Sequence, residues 1–168
     1  MTEAPMRPEP DLAGGERDQL VDFLNHQRGT VVWKCSGLTE EQARRQLVPS
    51  ELTTIATLLA HLRWVEHYWF EVVLDGQPDS WEEALRADKD AEFRPGLTEP
   101  MSTLIEDYRR QCAASDEIVA KLDLAAELPF RGRRINPRWV LIHMIEETAR
   151  HAGHIDLLRE LTDGFTGQ

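Results

Sequence analysis

The segment from residue 137 to residue 161 carries the densest group of side chains able to do chemistry. It contains His143, Glu147, His151 and His154. On a helix with about 100° per residue, the last three fall within about 80° of His143. The same face carries the apolar residues Val140, Met144, Ile155, Leu158 and Leu161. The ionisable side chains are therefore predicted to face the protein core.

Glu147 and His151 have the spacing by which one helix supplies two ligands to one metal ion. They are four residues apart, which places both side chains on adjacent turns of the same face. A carboxylate or imidazolium in a helical core loses its hydration, and the usual outcomes are pairing, neutralisation or metal coordination. A metal ion at this position needs a third ligand from another helix.

A second helical segment, TTIATLLAHLRWVEHYWFEVVL, offers that ligand in His61. His61 lies at the edge of the apolar stripe of this helix, about 40° from Val65. His67 falls outside the stripe and is predicted to face solvent. Together His61, Glu147 and His151, here called the triad, supply two imidazoles and one carboxylate. Such a set leaves coordination positions open for water or substrate, as in catalytic metal sites.

The same residues have interpretations without a metal ion. A histidine that faces the core can be a hydrogen-bonded core residue. Glu147 and His151 can form a buried ion pair, linked also to Arg63 or Arg150. These alternatives stay open at the level of spacing alone.

His143 and His154 are candidates for supporting roles beside the triad. They can fix the tautomers of the ligands or transfer a proton. One of them can instead complete a closed, four-ligand structural site, which would favour a binding protein over an enzyme. Both can also be ordinary helix residues near the end of the bundle.

Two further groups of reactive residues give weaker signals. Cys35 and Cys112 lack a cationic or helix-start context, so both are expected to be inert thiols. Arg131, Arg133 and Arg134 form a basic run that can bind a carboxylate substrate or serve as a solvated loop.

Four long helices are predicted to position these side chains. They run over about residues 16–34, 53–74, 98–122 and 137–163, with Leu20, Phe23, Leu24, Val31 and Val32 as core positions of the first. Capping-box patterns beginning at Thr39 and Ser80 predict short helices in the connections. Residues 131–134 are expected in a loop, since no hairpin signal is present. The predicted fold is all-α, a four-helix bundle over residues 13–168 behind a disordered tail of residues 1–12.

Composition excludes several classes of function. The chain has 168 residues, with 30 Asp and Glu against 19 Lys and Arg and a formal charge of −11. This excess of negative charge argues against nucleic acids and anionic membrane surfaces as partners. No apolar run reaches the roughly 18 residues that a membrane span needs. Two cysteines and no apolar leader segment lead us to expect a protein of the reducing cytoplasm.

The segments LLAHLRWVEHYWF and HMIEETARHAGHIDLLRE resemble the DinB-like superfamily, in the branch of mycothiol-dependent maleylpyruvate isomerase. The resemblance covers about residues 13–163 and implies a four-helix bundle that holds a divalent metal ion, usually zinc. By this resemblance His61 matches the ligand on the second helix. Glu147 matches a position that is glutamate in the isomerase branch, and His151 precedes the small-Gly pair of the family. His154 stands where many relatives carry glutamine, so the resemblance gives it no ligand role.

The resemblance also implies a function. It suggests a thiol-dependent S-transferase or isomerase that activates mycothiol, or another low-molecular-weight thiol, for attack on a small electrophile. The maleylpyruvate isomerases carry a further C-terminal domain that this sequence lacks, so we do not expect maleylpyruvate as the substrate. The alternatives are a non-catalytic metal- or small-molecule-binding bundle, and a metal-free protein that acts through an oligomeric surface. Homodimers are common among relatives, although no residue pattern here points to an interface.

Overall fold

The computed structural model describes residues 7–167 and shows the predicted all-α four-helix bundle. The first half of the chain forms α1 (Glu16–Cys35), α2 (Glu40–Ala43), α3 (Ile55–Glu66) and a π-helical segment (His67–Leu74) that continues α3. The second half forms α4 (Glu82–Ala87), a 3₁₀ turn (Ala91–Phe93), α5 (Pro95–Thr98), α6 (Met101–Val119), β1 (Leu128–Phe130), β2 (Arg133–Ile135) and α7 (Pro137–Asp163). The four long helices are α1, α3 with its π-helical extension, α6 and α7.

Local side-chain hydrogen bonds set several helix ends where the sequence predicts them. Thr39 and Gln42 form a reciprocal capping box at the start of α2. The Asn136 side chain accepts a hydrogen bond of 2.8 Å from the Trp139 amide and so begins α7. Gly164, with φ of 74°, ends α7 in the left-handed conformation that glycine adopts without cost.

The π-helical segment changes which side chains face the core. Its wider turn is shown by the Asp75 amide, which donates to the Phe70 carbonyl five residues earlier at 3.0 Å. His67 is only 8% exposed, and its ring nitrogens lie 2.7 Å from Glu71 Oε2 and 3.3 Å from Ser80 Oγ. The prediction that His67 faces solvent is therefore wrong, because Asp79 and Ser80 of the following connection pack against its ring. The capping box predicted at Ser80 is also wrong.

A short antiparallel hairpin replaces the loop predicted at residues 131–134. Phe130 of β1 pairs with Arg133 of β2, and the two strands are joined by Arg131 (φ 47°) and Gly132 (φ 75°). Two consecutive positive φ angles are typical of a type I′ turn, which Asn-Gly or Asp-Gly normally signals. The prediction of a loop without strands is therefore wrong at these residues. The sequence gives no signal for the turn, because arginine rarely takes the first of its two central positions.

The core consists of two clusters on either side of the middle of the bundle. One contains Val31, Leu59, Leu104, Tyr108 and Ile155 among others. The second contains Leu24, Val65, Phe70, Val140 and Met144 among others. The predictions that Phe23 and Leu161 lie in the core are wrong, since their exposed fractions are 49% and 63%. None of the helices between residues 7 and 167 is both long and apolar enough to cross a membrane.

The segment before α1 contacts that helix. Residues 1–6 of the predicted tail lie outside the described residues. Residues 8–10 form no regular secondary structure, yet His26 Nδ1 lies 3.1 Å from the Pro8 carbonyl oxygen. The Arg7 guanidinium lies 4.5 Å from the centre of the Trp33 ring. This part of the chain therefore packs along the outside of the bundle.

Candidate metal centre

The triad residues, which are far apart in sequence, converge between α3 and α7. One potential ligand atom of each lies within 4.8 Å of the others. His61 Nε2 is 3.5 Å and His151 Nε2 is 3.2 Å from the same oxygen, Glu147 Oε1. The three side chains are between 12 and 16% exposed. The predicted ligands thus form one cluster that is mostly buried but still reached by solvent.

Each triad imidazole has a second polar neighbour on its other ring nitrogen. His61 Nδ1 lies 3.8 Å from Glu92 Oε1, and His151 Nδ1 lies 3.4 Å from His154 Nδ1. A proton on Nδ1 of either ring leaves the lone pair on Nε2 free to bind a metal ion. The arrangement therefore suits two histidines that both bind through Nε2.

Glu92 and Phe93 belong to this site, although the sequence analysis missed both. The Phe93 ring stacks on the His61 ring with centroids 4.6 Å apart and planes inclined by 3°. Glu92 is 8% exposed, and both residues lie in the 3₁₀ turn of a connection that carries no helical periodicity. No sequence signal singles them out, since their position depends on how this connection packs against α3.

Gly96 in α5 lets that connection approach α3 closely. A Cβ atom at this position would come within 2.6 Å of the Ala56 carbonyl carbon and oxygen. Only glycine allows such an approach between two backbones. The contact fixes the segment that places Glu92 beside His61.

The charges in the cluster favour a cation. Hydrogen bonds with His151 and His61 hold the pKa of Glu147 far below its ordinary value, against a smaller effect of burial. The carboxyl groups of Glu147 and Glu92 are the acidic groups next to the two imidazoles. Arg150 lies 3.8 Å from Glu147 Oε2 but is 56% exposed, so the two mostly buried carboxyl groups still favour a cation at the imidazoles.

Two buried polar atoms beside the triad lack a hydrogen-bond partner within residues 7–167. They are His61 Nδ1 and Glu92 Oε2, which belong to the facing pair described above. Buried polar groups nearly always form hydrogen bonds. His61 Nδ1 and the Glu92 carboxylate can therefore hydrogen-bond to each other when a metal ion holds the imidazole. The two nitrogens and one oxygen of the triad are donors that zinc accepts. The residues present therefore fit the metal that the resemblance implies.

His154 and His143 occupy different positions relative to the triad. His154 is exposed, contacts the ring of His151, and lines an apolar cavity of about 380 Å³ with Leu157 and Leu161. His143 lies between the rings of Trp69 and Trp139, with centroids 4.8 and 5.1 Å away. Among the described residues it forms no hydrogen bond with the triad. Of these two histidines, only His154 is therefore placed to orient a residue of the triad.

The two cysteines are not placed for catalysis. Burial raises the pKa of the Cys35 thiol to about 12. Burial also raises the pKa of Cys112, and Glu66 adds to that effect. Since the thiolate is the reactive form, neither side chain supplies a nucleophile at neutral pH.

Comparison with known proteins agrees with this geometry. The family model described as mycothiol S-transferase matches residues 19–164, which include the whole triad. Among solved structures, a conserved protein from Enterococcus faecalis has the same fold, with a TM-score of 0.71 and 12% sequence identity. That alignment covers 91% of this chain and 100% of the other. No curated protein matches the sequence. Because the family model spans most of the chain, the protein belongs to the mycothiol S-transferase family, a DinB-like family.

Proposed function

We propose that the protein is a zinc-dependent S-transferase that uses mycothiol as its thiol substrate. The observation that carries the proposal is the convergence of His61 and His151 on one oxygen of Glu147. The family supports the thiol, and the open triad supports catalysis over a purely structural site. When bound, a zinc ion supplies the positive charge that lowers the pKa of a thiol beside it.

The residues around the triad have separable roles in this proposal. Glu92 orients His61, and His154 orients His151, so that both rings present Nε2 to the metal ion. The Phe93 ring covers one face of the His61 ring and excludes water from that face. Because the one lone pair of the His154 ring is used by His151, the proton that the thiol loses goes to solvent, which reaches the triad.

The reaction is a nucleophilic substitution or addition at carbon. The thiolate sulfur forms a bond to the electrophilic carbon, and the leaving group departs with the electron pair of the bond that breaks. For an activated double bond, the π electron pair instead takes up a proton at the neighbouring carbon. The nucleophile must come from a bound thiol, because the pKa of each cysteine of the chain is raised.

The test is zinc content and thiol consumption measured on the same variants. Wild-type protein dialysed against zinc should retain stoichiometric metal and consume mycothiol in the presence of monochlorobimane. His61→Ala and His151→Ala should lose both properties, because each removes one of only three ligands. His26→Ala is the matched control, since this ring contacts the Pro8 carbonyl away from the site.

Two results would contradict the proposal. One is wild-type protein that retains no zinc after dialysis. The other is thiol consumption that continues unchanged in His61→Ala. Retained zinc without thiol consumption would instead favour a metal-binding protein without turnover.

A further inference from the structure

A cavity of about 520 Å³ lies between the hairpin and the start of α7. Its volume falls in the range of small-molecule sites. The wall includes Phe130, Arg131, Arg133, Arg134, Asn136 and Trp139. We call it the hairpin cavity, and its wall combines aromatic rings with guanidinium groups.

The hairpin cavity carries positive charge that the protein does not neutralise. Arg134 is paired with Glu127, which lies on the same wall. Arg131 instead donates a 2.9 Å hydrogen bond to the neutral hydroxyl of Tyr68. The Arg133 guanidinium forms no hydrogen bond or ion pair with any residue from 7 to 167. In a chain with a formal charge of −11, two such cations beside one cavity favour an anionic ligand.

The turn holds Arg131 in place at a conformational cost. Its φ of 47° is unfavourable for a residue with a side chain. The guanidinium lies 5.2 Å from the Phe130 ring centre and is tied to Tyr68. Unfavourable backbone conformations that the surroundings maintain are concentrated at ligand sites.

An aromatic surface connects the hairpin cavity with the triad. The Tyr68 ring stacks on Trp64 with centroids 5.4 Å apart, and Trp64 lies 6.1 Å from the His61 ring. Tyr68 lies seven residues after His61, which corresponds to about 10 Å along the helix axis. A ligand of about that length spans the stretch of this helix between the triad and the Tyr68 side chain to which Arg131 is bonded.

We infer that the hairpin cavity binds a carboxylate of the electrophilic substrate, with Arg131 and Arg133 contacting the anion. A planar apolar part of that substrate packs on Trp139 and Phe130, and its reactive carbon lies about 10 Å away at the triad. The assignment to the electrophile rests on the proposed function, in which the thiol is already held by its sulfur. Binding of an organic carboxylate in the cavity does not depend on that function.

The binding test uses an unreactive acid and its neutral counterpart. Titration of wild-type protein with 4-(acetamidomethyl)benzoate should quench tryptophan fluorescence, since Trp139 lines the cavity. The acid should bind at least about fivefold more tightly than 4-(acetamidomethyl)benzamide, and salt should reduce the difference. Arg131→Gln and Arg133→Gln should remove this preference. Arg45→Gln, at an exposed arginine outside the cavity, should keep it.

A reactive pair separates this inference from the proposed function. With 4-(chloroacetamidomethyl)benzoate, the thiol sulfur bonds to the chloromethyl carbon, chloride leaves with the electron pair, and the thiol proton goes to solvent. Arg131→Gln should raise KM for this acid without changing kcat, and should leave KM for the corresponding amide unchanged. His151→Ala should abolish turnover but keep the preference for the acid in binding.

The outcomes are distinct. If the acid binds no better than the amide, or neither binds, the inference about the hairpin cavity is wrong even where thiol transfer is observed. If the acid preference depends on Arg131 but no thiol is consumed by the wild type, the cavity stands and the proposed function fails.

Discussion

Two polar clusters share α3, and they are built in opposite ways. In the first, Arg28 forms two hydrogen bonds with Glu66, of 2.8 and 2.6 Å, and one of 2.7 Å with Asp116. In the second, the potential ligand atoms of the triad are gathered together, and its carboxylate has only a 3.8 Å contact with Arg150, which is 56% exposed. Glu66 lies only five residues after His61, so one helix carries both a closed ion-pair network and an open cluster of potential ligands.

The electrostatics of Arg28 show what a closed network does. Burial by itself lowers the pKa of this guanidinium, but Glu66 and Asp116 outweigh it, and the pKa is raised well above its ordinary value. The charge is balanced entirely by protein groups, so this cluster needs no ligand. The triad differs, because the arginine beside its carboxylate is 56% exposed and 3.8 Å away, so its donor atoms have no buried partner of opposite charge. We therefore expect the first cluster to serve packing, whereas the second is the one that we propose to bind a metal ion.

The largest expected effect comes from opening the closed network. Glu66→Gln should lower the free energy of unfolding by about 3–5 kcal/mol, because it leaves Arg28 buried without its main counter-charge. Urea denaturation measures this loss. In metal-free protein, His151→Ala should change the same quantity by about 1 kcal/mol or less.

A double substitution checks the reason for that loss. Replacing Arg28 and Glu66 together by methionine should restore most of the stability, since the charge left without a partner is that of Asp116, which is 44% exposed. A loss below about 1 kcal/mol in Glu66→Gln would remove the distinction drawn between the two clusters.

The next effect in size concerns the segment that supports the triad. Gly96→Ala should lower the free energy of unfolding by about 1–3 kcal/mol, because the added methyl group meets the Ala56 carbonyl. It should also weaken zinc binding, since Glu92 and Phe93 move away from His61. Thermal unfolding and zinc titration measure the two effects. Gly153→Ala is the matched control, as its added methyl group meets nothing within 4 Å and should stabilise α7 by up to about 1 kcal/mol.

The smallest expected effect tests the contact between Glu92 and His61. Glu92→Gln keeps the shape of the side chain but removes its charge, and it should weaken zinc affinity about tenfold. Competition with a chromogenic chelator measures this affinity. Glu117→Gln, at an exposed glutamate on α6, should leave the affinity unchanged. Equal affinities in the two variants would mean that Glu92 does not orient His61.

The triad was predictable from sequence because each contribution obeys ordinary helix geometry. Glu147 and His151 are one turn apart on α7, and His61 lies before the π-helical segment begins. His67 is buried by the connection that follows α3, which a helical wheel of that helix does not include. The same geometry predicted that Leu161 is buried, but it is exposed. The apolar face of a helix can extend beyond the helices that pack against it.

The rest of the site depends on tertiary contacts that leave no local pattern. Glu92 and Phe93 reach His61 only because Gly96 lets their segment pack on α3. The hairpin depends on a turn in which Arg131 takes a conformation that single-sequence rules assign to asparagine or aspartate. Periodicity therefore predicts helices and the residues on their faces, but not the connections that complete a site.

The triad also has a consequence for the order in which the chain assembles. His61 and Glu147 are separated by 86 residues, so their contact closes a loop of about half the chain. Glu147 and His151 are four residues apart and come together as soon as α7 forms. The pair on α7 is thus a local half-site, whereas His61 can join it only late in folding, after most of the intervening chain is in place.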